Sequence, residues 1–144
     1  MPMTAFVPPI PPNPPAPAKA PGLFRQTPPA IFPPVLGVLG LGLAWRAAAE
    51  KTGLPAAPAE VILGAGCLLW AFVALAYLAK MARRPSVAAD DLRVLPGQTG
   101  LAGATMGLMA VALALAPVAP ALAMGAALAG LAAHLPLATL MATR

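Results

Sequence analysis

The sequence predicts an all-α integral membrane protein, with four transmembrane helices paired as two antiparallel hairpins behind an extended proline-rich tail. Three observations carry this. Four long apolar runs cover about residues 32–49, 58–79, 97–116 and 118–143. The chain is 60% hydrophobic and 9% charged, whereas a soluble domain is roughly a quarter charged. The basic residues also alternate in side between the runs. With the N-terminus inside, Lys19, Arg25, Lys80, Arg83, Arg84, Arg93 and Arg144 face the cytoplasm, and only Arg46 and Lys51 face outward. Basic loops resist translocation, so this bias predicts that both termini are cytoplasmic.

Length and composition make a soluble alternative untenable. A small soluble domain buries only about two thirds of the surface its chain exposes, too little to hide this much apolar area. Crossing a hydrocarbon core of about 30 Å takes roughly 20 helical residues, a length that the second, third and fourth runs reach. The runs lack the alternation of barrel strands and are rich in Ala, Leu and Gly, which favours helices. The net charge of +5 does not point to nucleic acid, because the basic residues sit between apolar runs with no recognition motif around them. Lys80, Arg83 and Arg84 suit an anionic inner leaflet, where each basic group gains on the order of 1 kcal/mol. The expected location is a bacterial inner membrane, with the lipid bilayer as the first partner.

Residues 1–31 form the expected tail. Thirteen of the twenty prolines fall within residues 1–34, and the region lacks the apolar core and basic lead of a signal peptide. Proline fixes φ and cannot join a helix or sheet ladder, so Pro8–Pro21 is expected to be polyproline II. Such a segment acts as a semi-rigid tail or as a strap on a partner.

The first run begins among Pro28, Pro29, Pro33 and Pro34, and proline is tolerated in a helix's first turn. Gly37, Gly40 and Ala44 share one smooth face, opposite Leu36, Leu39 and Leu43. Small residues let another backbone approach closely in lipid, so that face is a candidate for helix packing or for lining a pore. Trp45 and Arg46 end the run as an interfacial anchor. In the second run Cys67 has no cysteine partner or ligand cluster and reads as filler, and mid-run Trp70 is expected to pack on another helix. Tyr77 marks the headgroup level, with Lys80, Arg83 and Arg84 holding that end inside. Asp90 and Asp91 read as a solvated turn or helix cap, since neighbouring carboxylates point apart on a helix.

The third run follows Pro96 and carries Gly100, Gly103 and Gly107 on one face, with Gly103 and Gly107 as a GxxxG pair. Gln98, Thr99 and Thr105 are candidate polar lining, although threonine in a membrane helix often bonds its own backbone. Pro117 and Pro120 shorten the next loop, so the third and fourth runs form a tight hairpin. In the fourth run His134 is a titratable group within a membrane span, which is a functional hypothesis by default. It is also placed to satisfy a carbonyl freed by Pro136.

FPPVLGVLGLGLAWR (Phe32–Arg46), WAFVALAYLAKMARRP (Trp70–Pro85) and DLRVLPGQTGLAGATMGLM (Asp91–Met109) together resemble the start of the tellurite-resistance/dicarboxylate transporter family, to which the plant slow anion channels are distantly similar. The resemblance covers about residues 28–144. It implies a protomer of ten helices in five hairpins, usually trimeric, with one helix of each hairpin lining a central anion path. By that analogy the first and third runs line the path, and this chain supplies two of the five hairpins as a short form or fragment. A phenylalanine that gates the family's pore belongs to a later helix and has no matching position here. Leu95-Pro96-Gly97 stands where relatives often carry a basic Pro-Val-Arg stretch.

Two functions follow as expectations. One is anion or dicarboxylate transport. The other is a non-transporting accessory or scaffold subunit packed against a larger membrane complex, which suits the Ala- and Gly-rich faces of the last two runs. Either reading anticipates other membrane subunits as partners, as a homo-oligomer or a larger complex. No nucleophile–base set, metal cluster or phosphate loop is present in the sequence, so no enzyme activity, catalytic residue, metal or cofactor is expected.

Overall fold

The computed structural model describes residues 27–143. The tract Pro8–Pro21, Lys19, Arg25 and Arg144 lie outside the described residues. Within them the chain is helical and contains no strand. A 3-10 turn, Pro29–Ile31, runs straight into α1 (Phe32–Thr52), followed by α2 (Ala57–Arg83), the short α3 (Val87–Asp91), α4 (Leu95–Leu115) and α5 (Pro120–Ala142). Four of these helices are long and apolar enough to cross a membrane. At about 1.5 Å per residue, the 21 residues of α1 and of α4 each match the hydrocarbon thickness.

The helix ends follow local chemistry, and several lie beyond the apolar runs. α1 continues past Trp45 and Arg46 to Thr52, where Gly53 takes a left-handed φ of 74° and its N–H bonds Ala49 O. Glycine occupies this conformation without the Cβ penalty other residues incur. Each of the four long helices carries proline in its first turn, where the missing N–H has no intrahelical acceptor to lose. α2 extends through Arg83, with Lys80 and Arg83 in its last turn beside the negative end of the helix dipole. Pro136 does not end α5, which continues to Ala142.

α1 and α4 lie side by side. Pro29 and Pro33, at the start of α1, meet Gly100 and Gly103, near the start of α4. Arg46, late in α1, reaches Ala114, late in α4. The two helices are therefore parallel, with α2 and α5 antiparallel to them as hairpin partners. α2 packs mainly on α1 and partly on α4, whereas α5 packs on α4. This creates a basic end, carrying Lys80, Arg84 and Arg93, and a far end marked by Arg46 and Glu60.

Packing relies on small residues opposite large ones. Leu39 of α1, wholly buried, presses on Gly66 of α2, while Leu63 of α2 presses on Gly42 of α1. Helices have little hydrophobic reason to associate in lipid, so close van der Waals fit and interhelical hydrogen bonds hold them together. One core gathers Val35, Leu39, Leu63, Ala110, Val111 and Ala114. A second, toward the basic end, gathers Phe32, Val73, Tyr77 and Val87. No polar side chain is fully buried among the described residues.

Candidate functional site

The two small-residue faces occupy different situations. On α4, Gly100 lies against the backbone of Pro29, Gly103 against the Pro33 ring and Gly107 against the Trp70 indole. A Cβ on Gly103 would stand 3.1 Å from the Pro33 ring, and one on Gly107 would stand 2.6 Å from Trp70 Nε1. This stripe is filled by the start of α1 and by α2. On α1, nothing lies within 4 Å of a Cβ built on Gly37 or Gly40. Gly37, Gly40 and Ala44 are all exposed, so the α1 face is open.

The candidate polar residues also separate. Gln98 Nε2 donates to Leu92 O at 2.9 Å, tying the start of α4 to the connection before it. Thr99 is exposed, and its hydroxyl bonds back to Leu95 O at 3.1 Å. Thr105 Oγ1 lies 2.8 Å from His134 Nδ1 and 2.9 Å from Ala102 O. A hydroxyl has one proton. If that proton bonds the Ala102 carbonyl, His134 Nδ1 carries the hydrogen donated to Thr105. The imidazole is thus partnered across the α4–α5 seam, away from the α1–α4 contact, rather than bonded to a carbonyl freed by Pro136. Gly130 of α5 packs against Met109 in the same seam.

Three polar clusters were not legible as clusters in the sequence. At the far end Arg46 donates through Nε and Nη2 to the two Glu60 oxygens, at 2.9 and 2.8 Å, and through Nη1 to Ala114 O at 3.2 Å. One guanidinium thereby joins α1, α2 and the last turn of α4, where it supplies a donor to the Ala114 carbonyl, since a helix end leaves some carbonyls without an intrahelical N–H. Trp45 Nε1 donates to Pro55 O at 3.1 Å and pins the neighbouring loop. Mid-bundle, Trp70 Nε1 donates to Ala104 O at 3.2 Å. This explains why Gly107 must be small: the ring has to slide over it to reach that carbonyl.

At the basic end Tyr77 donates its hydroxyl proton to Asp91 Oδ2 at 2.8 Å. Lys80 lies 3.7 Å from the same oxygen and donates to Thr27 O at 3.0 Å. Asp91 is therefore a junction between α2 and the connection to α4, rather than a solvated turn residue. Asp90 does remain at the surface, 2.7 Å from Arg84 Nη2. The two carboxylates point apart, as expected of neighbours on a helical turn. Tyr77 and Trp70 both pack on Phe32, with ring centroids 6.2 and 6.4 Å away, completing an aromatic column along α2. The sequence signal for this junction was the Tyr77–Lys80 spacing, which puts both groups on one side of α2. Nothing in it indicated which carboxylate they would hold.

Among the described residues no group of three or more His, Cys, Asp or Glu side chains is placed to hold a metal. Cys67 is half-buried and unpaired. Compared with known proteins, the chain matches the model of the voltage-dependent anion channel family over residues 26–143. No curated protein and no solved structure matches it. The family is one of channels rather than enzymes, and membership makes the four apolar helices spans of an integral membrane protein. The match runs from just before the first proline-led helix to the end of α5 and so takes in both hairpins; the chain belongs to the voltage-dependent anion channel family.

Proposed function

We propose that this chain takes part in moving anions, dicarboxylates among them, across a membrane. The observation that carries this reading is the family match across residues 26–143. The parallel pair α1 and α4 supports it, since proline-led helices flanked by their hairpin partners are suited to line one side of a path. Gln98 and Thr99 would lie near its basic mouth. Two hairpins enclose only part of a path, so its wall needs further helices, from other copies, more of the same polypeptide or another subunit. The test is flux: purified protein in liposomes, loaded in turn with a halide and a small dicarboxylate. Protein-dependent efflux of either is expected. Efflux no greater than that of empty liposomes, at a verified protein density, would overturn the proposal.

A second reading, a non-transporting accessory or scaffold subunit, is favoured by Arg46. Its guanidinium is committed to Glu60 and the end of α4 rather than offered to a passing anion. Stoichiometric purification with a larger membrane complex, together with absent flux, would decide for it.

The orientation belongs to the same proposal. A tail over residues 1–31 and a membrane domain over 32–144 have both termini in the cytoplasm of a bacterial inner-membrane host. The bias of Lys80, Arg83, Arg84 and Arg93 toward one end supports this. Changing Lys80, Arg83 and Arg84 together to neutral residues is expected to give mixed orientation of a reporter placed in the α2–α4 connection. A reporter still wholly cytoplasmic would show that charge does not set the topology.

A further inference from the structure

The helix starts at the basic end bring few hydrogen-bond donors of their own. Pro28, Pro29, Pro33 and Pro96 lack an N–H, and neither the lead-in to α1 nor the start of α4 has a side-chain cap. What these segments offer is carbonyls, so side chains from elsewhere must supply the donors. Lys80 of α2 donates to Thr27 O at 3.0 Å, in the lead-in to α1. Gln98 donates to Leu92 O, in the connection before α4.

Asp91 bears on both starts. Its carbonyl accepts the Val94 N–H and lies where a side chain on Gly97 would sit, so it meets the first turn of α4 directly. Its Oδ2 accepts the Tyr77 hydroxyl at 2.8 Å, and Lys80 Nζ lies 3.7 Å from the same oxygen. Tyr77 in turn packs on Phe32, the first residue of α1. Asp91 thus reaches α4 through its own backbone, and α1 through Lys80 and Tyr77.

Charge, rather than a hydrogen bond, ties Lys80 to Asp91. A separation of 3.7 Å exceeds a charge-assisted hydrogen bond, which leaves Coulomb attraction. Water screens it little, since the Lys80 and Asp91 side chains are 16% and 20% exposed. Asp90 is no substitute, because it is bonded to Arg84 at the surface. With the carboxylate neutralised, a lysine at this level extends its stem until the ammonium reaches water or anionic headgroups. Thr27 then loses its donor.

We propose that Asp91 is a positioning residue for the basic mouth: its charge keeps Lys80 on Thr27 and so holds the start of α1 against the start of α4. It touches no anion and acts through Lys80 alone. The proposal rests on the reading of α1 and α4 as the helices that line a path. Neutralising Asp91 parts the two starts and widens the mouth beside Gln98 and Thr99.

The test uses the full chain with Cys67→Ala, reconstituted in liposomes. Spin labels at Ile31→Cys and Leu95→Cys report the separation of the two starts, and labels at Thr52→Cys and Val118→Cys report the far end. Asp91→Asn, which keeps an oxygen for Tyr77 but not the charge, is expected to lengthen and broaden the first separation and to leave the second unchanged. Lys80→Met is expected to do the same, and Asp91→Glu to keep the native value. Efflux of a halide and of a small dicarboxylate is then measured on the unlabelled variants. Asp91→Asn and Lys80→Met are expected to raise the dicarboxylate-to-halide ratio about threefold, since the bore of a path sets which ions pass. Lost stability alone would lower both fluxes together. An unchanged first separation in both neutral variants would overturn the proposal, as would an unchanged ratio where the native chain carries anions. Efflux absent from the native chain itself would instead overturn the transport reading, and with it the mouth that Asp91 shapes.

Discussion

Gly100→Ala is expected to destabilise the bundle by about 2–3 kcal/mol, although alanine is the better helix former by roughly 1 kcal/mol. The added Cβ would overlap the carbonyl carbon and oxygen of Pro29, and no rotamer change relieves a clash with backbone. The carbonyl itself has little freedom. It accepts the Phe32 N–H that closes the 3-10 turn into α1, and its own residue has a φ fixed by the proline ring. Relief requires α1 and α4 to separate near their starts, which would also loosen the Pro33–Gly103 contact. The control is Gly64→Ala on α2, where nothing lies within 4 Å of the new Cβ. It should be neutral or slightly stabilising. Reversible unfolding of the two variants in the same detergent separates them. Equal midpoints would mean that the bundle does not depend on this close approach.

Arg46→Ala is expected to cost about 1–2 kcal/mol and to act at the opposite end of the same pair of helices. The figure is below that of a fully buried pair because, although the Arg46 side chain is 16% exposed, that of Glu60 is 55% exposed. The change leaves a carboxylate without its bidentate partner and the Ala114 carbonyl without its donor. Arg46→Lys should recover little, because an ammonium is a point charge that cannot span two carboxylate oxygens and a carbonyl at once. A double-mutant cycle with Glu60→Gln, read by the same unfolding assay, isolates the coupling. A coupling near zero would reduce Arg46 to the interfacial anchor that its place beside Trp45 suggests from sequence. A large one makes it the fastening that keeps α4 registered on α1.

Much of the architecture is legible without coordinates, because a bilayer imposes a length and an apolar composition on anything that crosses it. The four runs, their proline-led starts and the tight α4–α5 turn all follow from this. The ends of the runs were less legible. Hydropathy stops at the last apolar residue, whereas α1 continues to the glycine that can turn it and α2 continues through Arg83. Partner choice was less legible still. Asp91 and Asp90 are neighbours of identical chemistry, and only the fold of the connection turns one toward Tyr77 and leaves the other with Arg84. His134 carried two readings in sequence, and it is bonded to Thr105 because α5 packs on that side of α4.

The sequence by itself determined that this protein lives in a membrane, how many helices cross, and which faces are small enough for close approach, since those properties are local and set by side-chain size and polarity. Only the tertiary structure decided what those faces do. Glycine permits approach but does not specify what approaches. The stripe of Gly100, Gly103 and Gly107 is filled by Pro29, Pro33 and Trp70 because α1 lies parallel to α4, whereas the same pattern on α1 remains open.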